Sequence, residues 1–235
     1  MAVTVNSVVD RVQTILQDTT GVRWPVVQEL VLWINDAQRE IALMKPDASA
    51  KNEIVQLAAG TKQDIPSSGN RLLRVIRNMS SATGTATGKR AVRIVQREVL
   101  DSQTPDWHDA TVTGDAQHGS TVIHYIYDEE NPRNYYVFPG VEGNAYLEIV
   151  YSANPSTVDS AGNLSVPDIF ANAIMNYVLY MAYMKDADFA ANSQRAATHF
   201  QLFTGAVQGK SNTDDATSPN GVSSRPMAMP AMVGG

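Results

Sequence analysis

The sequence contains no cysteine, which excludes disulfide staples, thiolate zinc sites and thiol nucleophiles together. It lacks any unbroken apolar run of about 18 or more residues, the length a membrane-spanning helix needs. Its opening residues show no basic stretch leading into an apolar one, so neither an export signal nor a membrane span is expected. Positive charge is scarce: 18 Lys and Arg stand against 24 Asp and Glu, a formal net charge of −6. That balance argues against a general nucleic-acid binder, whose phosphate contacts call for clustered cations. It is compatible with a surface past which DNA slides without sticking. The G-x-S-x-G and G-x-G-x-x-G signatures of nucleophilic and dinucleotide sites are missing as well.

What is present reads as an α+β protein. With 235 residues, 43% of them hydrophobic and 18% charged, the chain can bury a substantial core. Val8, Val9, Val12, Ile15 and Leu16 fall at helical spacing, and Thr19-Thr20-Gly21 ends that helix. Trp24-Pro25 opens a second, with the stripe Val27, Leu30, Val31, Ile34, Ala37 and Ile41, which Lys45-Pro46 stops. The period then becomes strand-like. Ile54, Val55 and Leu57, then Gly60-Thr61 and Ile65-Pro66, predict a hairpin turned at the glycine. Residues 71–79 predict a longer strand with 91–95 beside it, and Gln96–Leu100 a helical turn broken at Thr104-Pro105. Val122–Tyr127, Tyr135–Phe138 and Tyr146–Tyr151 complete a small antiparallel sheet or sandwich. Helical spacing returns at Val166-Pro167 and runs through Ile169, Phe170, Ala173, Ile174, Tyr177, Val178 and Met181. It continues through Phe189, Ala196, Ala197, Phe200, Phe203 and Val207, with a joint at Asp186–Asp188. The reading is one α+β domain over 1–210: helices at 5–45, a β-rich part at 51–152 and C-terminal helices at 166–209. First and last helices pack together over the sheet, and an extended or disordered arm occupies 211–235.

The search for chemistry finds fragments of sites. Gly84 to Lys89 resembles a phosphate-binding loop, but its glycines are too close, Arg90 replaces the required hydroxyl and a strand follows, so a hairpin tip is expected. Asp101, Asp106, His108 and Asp109 suit a metal or a general base by residue type, yet their spacing matches no ligand pattern. Loop residues around a docked Trp107 account for them. The four histidines, His108, His118, His124 and His199, are scattered, with no pair four residues apart. Asp186 and Asp188 lack the glycine and distal glutamate of a calcium loop. Arg71, Arg74, Arg77, Arg90, Arg93 and Arg97 form one basic sector, readable as a solvated strand face or as a surface for phosphate or an acidic partner. No catalytic, cofactor-binding or metal-ligating residue is assigned, and no cofactor is expected.

Leu32-Trp33-Ile34-Asn35-Asp36-Ala37-Gln38-Arg39-Glu40-Ile41, closed by Lys45-Pro46, resembles the second helix of podophage-type head-to-tail adaptor proteins. Leu57-Ala58-Ala59-Gly60-Thr61-Lys62-Gln63-Asp64-Ile65-Pro66 followed by Arg71-Leu72-Leu73-Arg74-Val75 is similar to their next segment. Pro105-Asp106-Trp107-His108, Tyr136-Val137-Phe138-Pro139 and the run from Tyr180 to Asp188 with Asn192, Arg195-Ala196 and Phe203 fit the rest, over about residues 5–210. The resemblance implies a non-enzymatic virion protein, made in the bacterial cytoplasm and placed in the phage neck. It implies a homo-oligomeric ring, typically dodecameric, that docks beneath the portal, extends the DNA channel, meets tail or nozzle proteins and serves genome ejection. DNA would pass without specific binding, and neither membrane nor small-molecule substrate is implied. The tail, at most about 90 Å when extended, would reach a neighbour or the portal through Arg225, Met227, Met229, Pro230 and Met232. A tail-tube or baseplate component is the alternative, and a carbohydrate or phosphate hydrolase a remote one.

Overall fold

The computed structural model describes residues 3–218 apart from positions 84, 187 and 189. Gly84, Phe189 and the tail residues Arg225, Met227, Met229, Pro230 and Met232 therefore lie outside the described residues. The architecture is α+β. The chain divides into two compact units, one of Met1–Ala37, Asp159–Leu164 and Asp168–Gly235, the other of Gln38–Val158 and Ser165–Pro167.

The first unit is helical. Helix α1 (Val5–Leu16) starts at Thr4, whose hydroxyl oxygen accepts the Ser7 N–H, and buries Val5, Val8, Val9 and Val12. Ile15, expected on that stripe, is 46% exposed. The second helix does not begin as regular α. Val26–Leu30 is a single π turn, with the Val31 N–H bonding the Val26 carbonyl, before α2 (Val31–Met44), whose residues from Gln38 on count with the second unit. The wider turn shifts the phase of everything before it. Leu30, Ile34, Ala37 and Ile41 are consequently buried, whereas Val27, assigned to the same stripe, is 63% exposed. Helix α1 packs on α4 (Ala171–Lys185), and α4 on α5 (Ala190–Thr217). The expected joint is where α4 ends, at Asp186. Ile169, expected on the α4 stripe, is exposed in the 3-10 turn Asp168–Phe170 that precedes it. Helix α5 continues past Lys210 to Thr217. Lys210 pairs with Asp214 one turn on, and the Thr213 and Thr217 hydroxyls donate to the Gly209 and Thr213 carbonyls, local contacts that hold helix without an apolar stripe.

The second unit is a pair of four-stranded sheets. Strands β1 (Ala50–Gln56), β3 (Gly69–Met79), β4 (Gly88–Ala91) and β8 (Tyr146–Ala153) form one, in the order β1-β8-β3-β4. Strands β2 (Gly60–Asp64), β5 (Arg93–Ile94), β6 (His124–Tyr127) and β7 (Asn134–Val141) form the other, in the order β2-β7-β6-β5. Leu72, Val75, Leu147, Ile149 and Tyr151 from the first sheet share a core with Tyr125, Tyr135, Val137 and Val141 from the second.

Two expectations fail here. The segments flanking Gly60 do not form a hairpin, because β1 pairs with β8 and β2 with β7. Gly60, at φ +106°, turns the chain from one sheet to the other. The buried Gln63 side chain stands in for strand pairing at the turn: its oxygen accepts the Ala58 N–H and its amide donates to the Ala58 carbonyl. Nor is the β-structure wholly antiparallel. The chain changes sheets again at Val92, so β5 runs parallel to β6.

Strand β3 carries an uncommon pattern. Its register against β8 slips between Gly69 and Arg71, Leu72 and Arg74, and Val75 and Arg77. Each bulge inserts one extra residue, so the strand repeats every three residues instead of two. Leu72, Val75 and Asn78 all reach the buried side, opposite Tyr151, Ile149 and Leu147. Arg71, Arg74 and Arg77 fall opposite Ser152, Val150 and Glu148, the alternate residues of β8.

Candidate functional site

The fold disperses the sequence's catalytic candidates into structural duties. Ser80 and Thr87 close the link between β3 and β4: the Ser80 N–H bonds the Thr87 carbonyl, the Thr87 N–H bonds the Ser80 hydroxyl, and β4 follows directly. Helix α3 (Arg97–Gln103) and the turns after it lay Leu100, Trp107 and Ala116 on Ile126 and Phe138 of the second sheet. Within that layer Asp101 accepts the Trp107 indole N–H at 2.8 Å. Asp109 accepts the Thr111 N–H and hydroxyl, both at 2.8 Å, which holds its carboxyl below the ordinary range. His108 lies 3.6 Å from the Trp107 ring centroid and shares a 2.7 Å hydrogen bond with Thr61. Burial, and then the Arg97 guanidinium, push its imidazole pKa down, against the pull of Asp101. These four residues anchor one loop, with Trp107 buried and the other three, like Asp106, exposed.

The remaining candidates are equally dispersed. His124 stacks on Phe138, and His199 bonds Asn176 and stacks on Tyr183 between α4 and α5. Asp186 pairs with Arg23, and Lys185 with Glu29 at 2.6 Å. Among the described residues no group of three or more His, Asp or Glu could hold a metal ion. Among them also, no helix is long and apolar enough to cross a membrane.

What the fold does assemble is surface suited to binding. The basic sector becomes a comb along β3, with Arg71, Arg74 and Arg77 exposed at three-residue intervals. Arg77 pairs with Glu148 at 3.3 Å. Exposed Lys89, Arg90 and Arg93 follow on β4 and β5, while Arg97 lies 4.4 Å over the Tyr136 ring in the loop layer. A groove of about 550 Å³ opens beside Arg71, walled by Arg39, Leu43, Pro46, Asn154 and Pro155. Leu43 is 76% exposed, an apolar side chain left to solvent. Sequence reading missed this groove because its walls come from widely separated segments. In the sequence, Leu43 is an apolar residue one position off the α2 stripe, a local signal for it. An extended surface of cations and isolated apolar residues is equipped for macromolecular contact.

No curated protein matches the chain. Residues 3–223 match the family described as SU10 adaptor protein, a span reaching into both compact units, and the chain therefore belongs to that family of phage adaptors.

Proposed function

We propose that this phage adaptor assembles into a homo-oligomeric ring beneath the portal, lengthens the DNA channel and presents a platform for tail or nozzle proteins. The observation that carries the reading is the family match over residues 3–223, since an adaptor is a structural virion component that contacts other phage structural proteins. An adaptor family points to a non-enzymatic role, and the surface described above supports protein contact better than catalysis. The negative balance of −6 suits a channel through which DNA slides without being held.

The C-terminal arm belongs to the same proposal. Arg225, Met227, Met229, Pro230 and Met232 lie beyond the matched residues, and adaptable methionines beside a proline suit a segment that orders on a neighbour or on the portal. Light scattering on the purified chain, alone and mixed with the phage's portal protein, tests the ring. A portal-dependent, ring-sized mass is expected. A monomer indifferent to the portal would overturn the reading. Deleting residues 219–235 then tests the arm, with weakened portal docking as the expected result.

A further inference from the structure

The charges of the β unit are segregated along the chain. Histidines aside, every charged residue between Asp64 and Glu98 is Lys or Arg, and every one between Arg97 and Arg133 is Asp or Glu. The fold sets Arg71, Arg74 and Arg77 on one outer layer of the sandwich and much of the acidic run on the other, while Arg93, in register with His124, and Arg97, on α3, stay with the second sheet. In the first sheet, Leu72, Val75, Leu147 and Ile149 face the shared core, so Arg71, Arg74 and Arg77, in register with Ser152, Val150 and Glu148, stand on its far side. In the second sheet, Tyr125, Tyr135 and Val137 face that core. The opposite face, with Ile126 and Phe138, is covered by α3 and the acidic turns after it. Glu98, Asp106, Asp109 and Asp115 are exposed on that cover. Among the described residues Arg71 and Arg74 have no carboxylate at ion-pair distance, and neither Asp106 nor Asp115 has a cation.

We infer that a second copy of this chain docks here, the arginine face of one copy's first sheet meeting the acidic cover of the next copy's second sheet. Opposite charges on opposite layers of one sandwich cannot meet within a single chain. A two-fold symmetric contact would set each layer against its own kind, and juxtaposed like charges are strongly unfavourable. Only a head-to-tail contact pairs them, and such contacts repeat until the rotation closes a ring. The three-residue repeat of β3 presents its arginines as an evenly spaced comb, and a guanidinium pairs with a carboxylate through two parallel hydrogen bonds. This inference rests on the ring reading and adds to it the surfaces that join neighbours.

Two charge-reversed full-length chains test it: Arg71→Glu with Arg74→Glu, and Asp106→Lys with Asp115→Lys. Circular dichroism establishes that each is folded, and sedimentation velocity follows assembly, alone and with portal protein. Each variant, with like charges set opposite one another at the substituted positions, is expected to need about tenfold or more protein to assemble than the wild type. Their equimolar mixture is expected to recover assembly, because alternating copies restore opposite charge at every contact. If both variants assemble at wild-type concentration, or if the folded mixture stays as defective as its parts, the docking is overturned while the ring stands. If the wild type fails to assemble even on the portal, the ring reading falls and the docking with it.

Discussion

Asn78 occupies a position where the three-residue repeat of β3 elsewhere places Leu72 and Val75, and its side chain joins the two sheets. Its amide donates to the Arg90 carbonyl at 2.9 Å and the Val122 carbonyl at 2.8 Å, and its oxygen accepts the Val122 N–H at 2.8 Å. Replacing it with leucine keeps the volume and strands buried backbone groups. Asn78→Leu is expected to cost about 2–4 kcal/mol, read as a lower urea midpoint with unchanged slope. Asp18 organises the turn after α1 in a comparable way, accepting the N–H groups of Trp24, Arg23 and Val22. The Trp24 bond is the largest of the causes that hold its carboxyl below the ordinary range. A depressed folded value means a stabilisation fully present above the unfolded value of about 4, and lost as pH falls through the folded one. The melting-temperature gap between wild type and Asp18→Ala is accordingly expected to be widest near about pH 7 and to close toward about pH 3. A gap constant with pH would assign the effect to packing.

Helices α1 and α4 are legible because each repeats a buried residue every third or fourth position, as Val5, Val8, Val9 and Val12 do, whereas α5 buries Ala196, Phe203 and Val207 of its expected stripe and leaves Ala197 and Phe200 exposed. The π turn at Val26–Leu30 is not, since an i to i+5 bond leaves no compositional mark and shows only as Val27 falling out of phase. Strand partners escaped for a related reason. Alternation identifies β1 and β2, but their pairing with β8 and β7 is set by tertiary contacts far along the chain. The site was half legible: the arginines of β3 stood out in the sequence, whereas the acidic run was read as a broken metal cluster around His108. Helix α5 holds an element-scale prediction of its own. Gly205 and Gly209 sit mid-helix, exposed, and among the described residues no atom lies within 4 Å of where a Cβ would stand. Alanine at each removes unfolded-chain freedom without a clash and is expected to add about 0.5–1 kcal/mol, visible as a higher melting temperature of the isolated chain. If the same pair of substitutions weakens assembly, a neighbour's backbone approaches α5 at those glycines.

At the scale of the whole molecule, two forces compete for the role of glue between copies. Exposed apolar residues, among them Leu43, Ile94 and Leu202, gain by leaving water, an effect that kosmotropic salt strengthens. The segregated charges gain by meeting their opposites, and exposed pairs of this kind are screened once the Debye length falls to a few ångströms. The net charge of −6 opposes gathering many copies together, so assembly by uniform charge attraction is excluded; an ordered arrangement that brings β3 arginines to α3-side carboxylates would offset that repulsion. The two forces respond to salt with opposite sign. Sedimentation velocity of the wild type between about 0.05 M and about 0.5 M sodium chloride is expected to show assembly weakening as salt rises, the direction that screened ion pairs dictate. Assembly that strengthens over the same range would place the contact on the apolar residues and the groove beside Leu43, and would leave the arginine comb free for an acidic partner other than a second copy.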